Sequence, residues 1–70
     1  MKKILICNLR YFRLKKGYSQ DKLSEICGIS QNTISQVECG HYNVSIENAF
    51  RLSDALGISV TDLYTYGVSD

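Results

Sequence analysis

Seventy residues with 44% apolar content suffice for one folded unit, but a core of that size supplies only about 3 to 5 kcal/mol, so a partner subunit is a physical expectation. Cys7, Cys27 and Cys39 are odd in number and widely spaced, reading as reduced thiols, and Cys39-Gly40-His41 lacks the paired spacing that a four-ligand zinc site needs. The longest apolar run, Ile4-Leu5-Ile6-Cys7, is too short for a membrane span and lacks the small-residue cleavage pattern of a signal peptide, which predicts a cytoplasmic protein.

Net charge is only +1, yet its distribution is uneven. Residues 1 to 22 carry Lys2, Lys3, Arg10, Arg13, Lys15, Lys16 and Lys22 against Asp21 alone; beyond them Arg51 stands against six acids. Such a molecule orients towards a polyanion, although a solvated helix face explains the same lysines.

In chain order, Lys2 to Cys7 has the β-branched richness of a strand, as does Tyr64 to Val68 at the other end. These segments either pair as short strands, within a subunit or across a dimer, or the first helix begins near Ile4. Between them Gly17, Gly28, Gly40 and Gly57 are each followed by a serine: Ser19, Ser30, Ser45 and Ser59. Glycine closes a helix and serine caps the next. Five helices are predicted, at about residues 8 to 16, 20 to 27, 31 to 39, 46 to 56 and 60 to 66. The inward positions predicted from spacing are Leu9 and Phe12; Leu23, Ile26 and Cys27; Ile34 and Val37; Ile46, Ala49, Phe50 and Leu56; and Val60, Leu63 and Tyr64. Ser59-Val-Thr-Asp62 matches a capping box, and Ile29 and Ile58 are placed to pack back on the helices before them.

The informative block is Gln20 to Cys39. Two helices of about eight residues meet across a turn too short for an extended crossover, which forces a steep angle between them. Leu23, Cys27, Ile29, Ile34 and Val37 are the inward positions, Gly28 makes the turn, and Ser24 is small enough for close approach. Opposite Ile34 and Val37, the third helix presents Gln31, Asn32, Ser35 and Gln36, uncharged until Glu38. Glutamine and asparagine can pair with adenine N6 and N7, each contact contributing roughly 1 to 3 kcal/mol of discrimination; the plain alternative is a face that only keeps the helix soluble.

This block, with the Ser45-to-Leu56 helix and the Leu56-Gly-Ile-Ser-Val-Thr-Asp-Leu63 ending, resembles the Cro/phage-repressor (XRE-like) helix-turn-helix family of transcriptional regulators from about Leu9 to Leu63. The resemblance implies an all-α, five-helix lambda-repressor-like domain spanning residues 1 to 70. It implies a repressor that places helix 31–39 in the major groove of double-stranded DNA. Base readers would be Gln31, Asn32, Ser35 and Gln36, with Thr33 near the groove wall. Ser19 and Gln20 would meet the backbone at a helix start, Gln20 also bracing the recognition helix, and His41, Tyr42 and Asn43 would grip it on the other side. In the same family an arginine and a glutamate at the positions of Arg13 and Glu38 form a buried architectural pair; phosphate contact by Arg13 is the alternative.

A chain of this length has a radius of gyration of roughly 11 Å, and half-sites one duplex turn apart lie about 34 Å apart, so two copies fit successive major grooves. A homodimer on a pseudo-palindromic operator is expected, with Leu63, Tyr64, Tyr66 and Val68, and also Ile4 and Ile6, as interface candidates; the alternative is that they complete each subunit's own core. No cofactor or small-molecule effector is expected, and no catalytic constellation is evident. The rival reading is an antitoxin or other protein-interaction module on the same fold.

Overall fold

The computed structural model describes residues 2–40 and 44–69, in the order β1 (Lys2–Cys7), α1 (Leu9–Lys15), α2 (Gln20–Cys27), α3 (Gln31–Glu38), α4 (Ile46–Leu56), α5 (Val60–Leu63) and β2 (Tyr64–Ser69). The stop-and-start punctuation accounts for the helix ends. Ser19, Ser30, Ser45 and Ser59 each accept the backbone N–H three residues on, at 3.0 to 3.2 Å, and Asp62 returns the contact to Ser59 to complete the capping box. At the end of α4 the N–H groups of Ile58 and Gly57 reach back to the carbonyls of Ser53 and Asp54, at 3.0 and 3.2 Å, the Schellman arrangement.

Leu9, Leu23, Cys27, Ile29, Ile34, Val37, Leu52, Leu56 and Leu63 form the core, with Phe12, Tyr18, Val44, Ala55, Ile58 and Tyr64 against it. Fully burying each large aliphatic chain contributes about 1.5 to 3 kcal/mol. Three expected core residues are exposed instead: Ile26, Ile46 and Phe50. In α4 the inward stripe is Ala49, Leu52, Ser53 and Leu56. Ser53 tolerates burial because its hydroxyl donates to the Ala49 carbonyl at 2.8 Å.

The chain's ends are not helical. The fifth helix stops at Leu63 and the first starts at Leu9; the segments outside them pair antiparallel, Lys2 opposite Ser69 through Cys7 opposite Tyr64. The β-branched and aromatic residues there suit a pleated ladder better than another helical turn. Asn8 fastens the sheet to the body: its N–H donates to the Leu63 carbonyl at 2.8 Å, and its side-chain amide to the Asp62 carbonyl and the Thr65 hydroxyl at 3.1 and 3.3 Å.

Directly opposed residues share a sheet face. One face therefore carries Lys2, Ile4 and Ile6 with Thr65 and Gly67, and the other Lys3, Leu5 and Cys7 with Tyr64, Tyr66 and Val68. Ile6 lies directly over Gly67, in the space a Cβ would fill. The second face packs on the helical core only at its inner end, through Cys7 and Tyr64. Burial, reinforced by the Cys7 thiol beside it, pushes the Tyr64 phenol well above the ordinary tyrosine range. The radius of gyration is 11.8 Å and the principal extents are 39 × 21 × 20 Å.

Candidate nucleic-acid interface

The turn between α2 and α3 is built from Gly28, Ile29 and Ser30. Gly28 takes φ 76°, a left-handed conformation that costs other residues about 1 to 2 kcal/mol. Its N–H donates to the Ser24 carbonyl at 2.9 Å, and the Ser24 hydroxyl donates to the Ile29 carbonyl at 2.5 Å. With Ile29 buried, the turn is held by one backbone bond, one side-chain bond and one apolar contact. Ser24 thus does more than keep the helices close. A serine that must satisfy a carbonyl leaves no periodic trace in the sequence, and only its smallness was legible.

Along α3, at about 100° per residue, Gln31, Ser35, Asn32 and Gln36 fall within an arc of roughly 140°, with Ile34 and Val37 buried outside it. Gln31, Asn32 and Gln36 are exposed and Ser35 is half-buried. Thr33 lies at the margin: its N–H donates to the Ser30 hydroxyl at 3.2 Å, and that hydroxyl donates to Thr33 Oγ1 at 2.9 Å. The structure thus gives Thr33 a part in the helix cap. No basic or acidic residue falls on the arc.

The other end of α3 is tied down by charge. Arg13 Nε donates to Glu38 Oε2 at 2.6 Å and Nη2 to Oε1 at 3.2 Å, while Nη1 donates to the Tyr18 carbonyl at 2.8 Å. Gln20 Nε2 adds a bond to Glu38 Oε1 at 3.1 Å. The charged groups are 10% and 6% exposed, so the pair is buried and its geometry bidentate, the arrangement that can offset desolvation. Residues from α1, α2 and α3 meet there, which fixes α3 at its C-terminal end. Gln20, expected both to brace that helix and to touch phosphate, is seen bracing it.

Ser19 is exposed at the start of α2. His41, Tyr42 and Asn43 lie outside the described residues. Leu63 is fully buried and packs in its own core, which removes it from the interface candidates. Tyr64 is half-buried against the same core, whereas Tyr66 and Val68 are exposed. Cys7, Cys27 and Cys39 are free thiols. Among the described residues no three His, Cys, Asp or Glu side chains are placed to hold a metal, and no helix is long and apolar enough to cross a membrane.

Two short helices crossed on a glycine turn, with a polar face on the second, define a helix-turn-helix. A helix-turn-helix family model matches residues 9–63, and the chain belongs to this family of DNA-binding transcriptional regulators of the XRE/Cro type, a family of transcription factors and not of enzymes.

A hypothetical transcription factor of Neisseria meningitidis serogroup B is 33% identical over 63 residues, covering 90% of this chain and 59% of the relative. Its crystal structure superposes with a TM-score of 0.76 at 36% identity, over 80% of this chain and 63% of that one. The restriction-modification controller protein C.AhdI of Aeromonas hydrophila gives a TM-score of 0.77 at 38% identity, covering 80% and 85%. SinR, a Bacillus subtilis master regulator of biofilm formation solved in complex with DNA, gives 0.76 at 32% identity, covering 80% and 90%.

Proposed function

We propose that residues 1–70 act as one DNA-binding domain and that the protein is a repressor, binding as a symmetric homodimer to a pseudo-palindromic operator with α3 in each of two successive major grooves. The observation that carries this reading is the uncharged, amide-rich arc of α3, its three amide side chains exposed and its base anchored by a buried charge cluster. Gln31, Asn32, Ser35 and Gln36 contact base edges, and Thr33 lies against the groove wall. Ser19 and Gln20 meet phosphate at the start of α2, where free N–H groups favour an anion. His41, Tyr42 and Asn43 meet phosphate on the far side.

The SinR complex supports DNA binding, since a protein of the same fold at 32% identity is seen on DNA. An arc without cations has few phosphate anchors of its own. One subunit alone then binds weakly, and two are needed to reach the affinity of a specific site.

Selection of bound duplexes from a random pool tests function, half-site spacing and symmetry together. The expected result is an inverted repeat with half-site centres about one helical turn apart. Loss of base preference at distinct positions is expected for Gln31→Ala and Gln36→Ala; unchanged affinity and preference in both would remove the readout assignment. Repression is read separately, as reduced transcription from a promoter carrying the selected site.

A further inference from the structure

We propose that the hollow between the C-terminal ends of α1 and α4 binds a small organic carboxylate with an apolar body, a binding function separate from DNA. Phe12, Lys15 and Lys16 line it from α1 and its cap, and Leu56, Gly57 and Ile58 from α4 and the turn after it, around a volume of about 370 Å³. Ligand sites span roughly 300 to 1,000 Å³ and combine apolar walls with a few convergent polar groups. The site departs from the expectation of no small-molecule effector, because residues 12 to 16 and 56 to 58 meet only in the fold.

The lining divides by chemistry. Leu56 is buried and Phe12 and Ile58 are half-buried against the core, so the floor is apolar and held in place. Lys15 and Lys16 are exposed; lysine stems extend an apolar wall while their ammonium groups stay in water. A Cβ on Gly57 would stand 3.8 Å from Lys16 Nζ, so this ammonium group reaches across from α1 to the end of α4. Lys15 Nζ lies 5.8 Å from the centroid of the Tyr11 ring.

Charge selects the occupant. No acidic residue lines the hollow, residues 1 to 20 contain none, and among the described residues neither lysine forms an ion pair. The N–H groups of Gly57 and Ile58 are spent on the Asp54 and Ser53 carbonyls, which leaves the two ammonium groups as donors for an anion. Attraction of Lys16 to the negative end of α4 accounts for one of them, but not for its neighbour or for the hollow. An exposed ion pair contributes little by itself, so burial of an apolar body against Phe12, Leu56 and Ile58 has to supply the rest. Inorganic phosphate would meet the lysines and leave that floor bare. A ring or a short acyl chain carrying one carboxylate satisfies both parts. None of the lining comes from α2 or α3, so the reading arc stays open when the site is filled.

Titration of the full chain with octanoate, followed by amide NMR, tests the site. Saturable shifts are expected at Phe12, Lys15, Lys16, Gly57 and Ile58. Acetate, which has the charge without the chain, and octanol, which has the chain without the charge, are each expected to bind at least ~5-fold more weakly. Lys15→Gln combined with Lys16→Gln should weaken octanoate by a similar factor.

Octanoate shifts that are absent, fail to saturate or centre on another surface, such as the groove of Leu5 and Ile46, overturn the proposal. Equal binding of acetate or octanol does so too, as does unchanged affinity in the lysine variant. Should that variant lose its fold, the three ligands on the wild type decide alone. Displacement of octanoate by duplex DNA would assign the two lysines to phosphate and also overturn the site, while leaving the helix-turn-helix reading intact.

Discussion

The base of α3 and the terminal sheet treat their side chains in opposite ways. Around Glu38, charged and polar groups from three helices satisfy one another inside the subunit, and among the described residues no buried side-chain polar atom lacks a partner. The sheet keeps Leu5, Tyr66 and Val68 in water, with only its inner end packed on the core. The first region satisfies its own polar groups; the second leaves large apolar side chains exposed. On the function proposed above, rigidity is placed where DNA is read, while the apolar surplus sits on the terminal strands.

The sharpest way to break this comparison is Arg13→Met. Removing one partner of a buried pair leaves Glu38 uncompensated and should cost about 3 to 5 kcal/mol in denaturant unfolding. Loss of DNA binding at unchanged stability would instead return Arg13 to the phosphate-contact role. Next is Leu52→Ala, expected to cost about 2 to 5 kcal/mol because Leu52 is fully buried. Ile26→Ala, at a position that spacing alone placed in the core, should stay within about 1 kcal/mol, measured in the same way.

In the sheet, Gly67→Ala should change stability by less than about 1 kcal/mol, since the atom it meets is the free end of the Ile6 side chain, which can rotate away. Smallest is the effect of alkali. The raised Tyr64 pKa means that its stabilising contribution is intact below the unfolded value of about 10 and fades as pH rises through the higher folded value. Ultraviolet titration should find one of the five tyrosines ionising last, and Tyr64→Phe should remove that phase.

Local signals in the sequence placed the helix starts correctly. A serine cap and a closing glycine act within a few residues, so Ser19, Ser30, Ser45 and Ser59 mark four of the helix starts. The face of α4 was not legible. Ile46, Ala49 and Phe50 make one plausible stripe and Ala49, Leu52 and Leu56 another, and the polar Ser53 inside the true one conceals it. Local spacing carries the fifth helix on to residue 66, because the competitor for Tyr64 to Tyr66 is a strand almost a whole chain away. At the site, the arc of α3 followed from periodicity, whereas the Arg13 and Glu38 pairing came through family resemblance. The Gln20 bond to Glu38 and the Ser24 bond to Ile29 depend on three-dimensional proximity that spacing does not carry.

Pairing of Lys2 with Ser69 and Cys7 with Tyr64 has a kinetic consequence. Each rung closes a loop containing nearly the whole described chain, whose entropy must be met before any contact rewards it, whereas the contacts of α2 with α3 and of α4 with α5 close far shorter loops. The ladder is therefore expected to zip last and to fray first, its amides exchanging through a partial opening that leaves the helices folded.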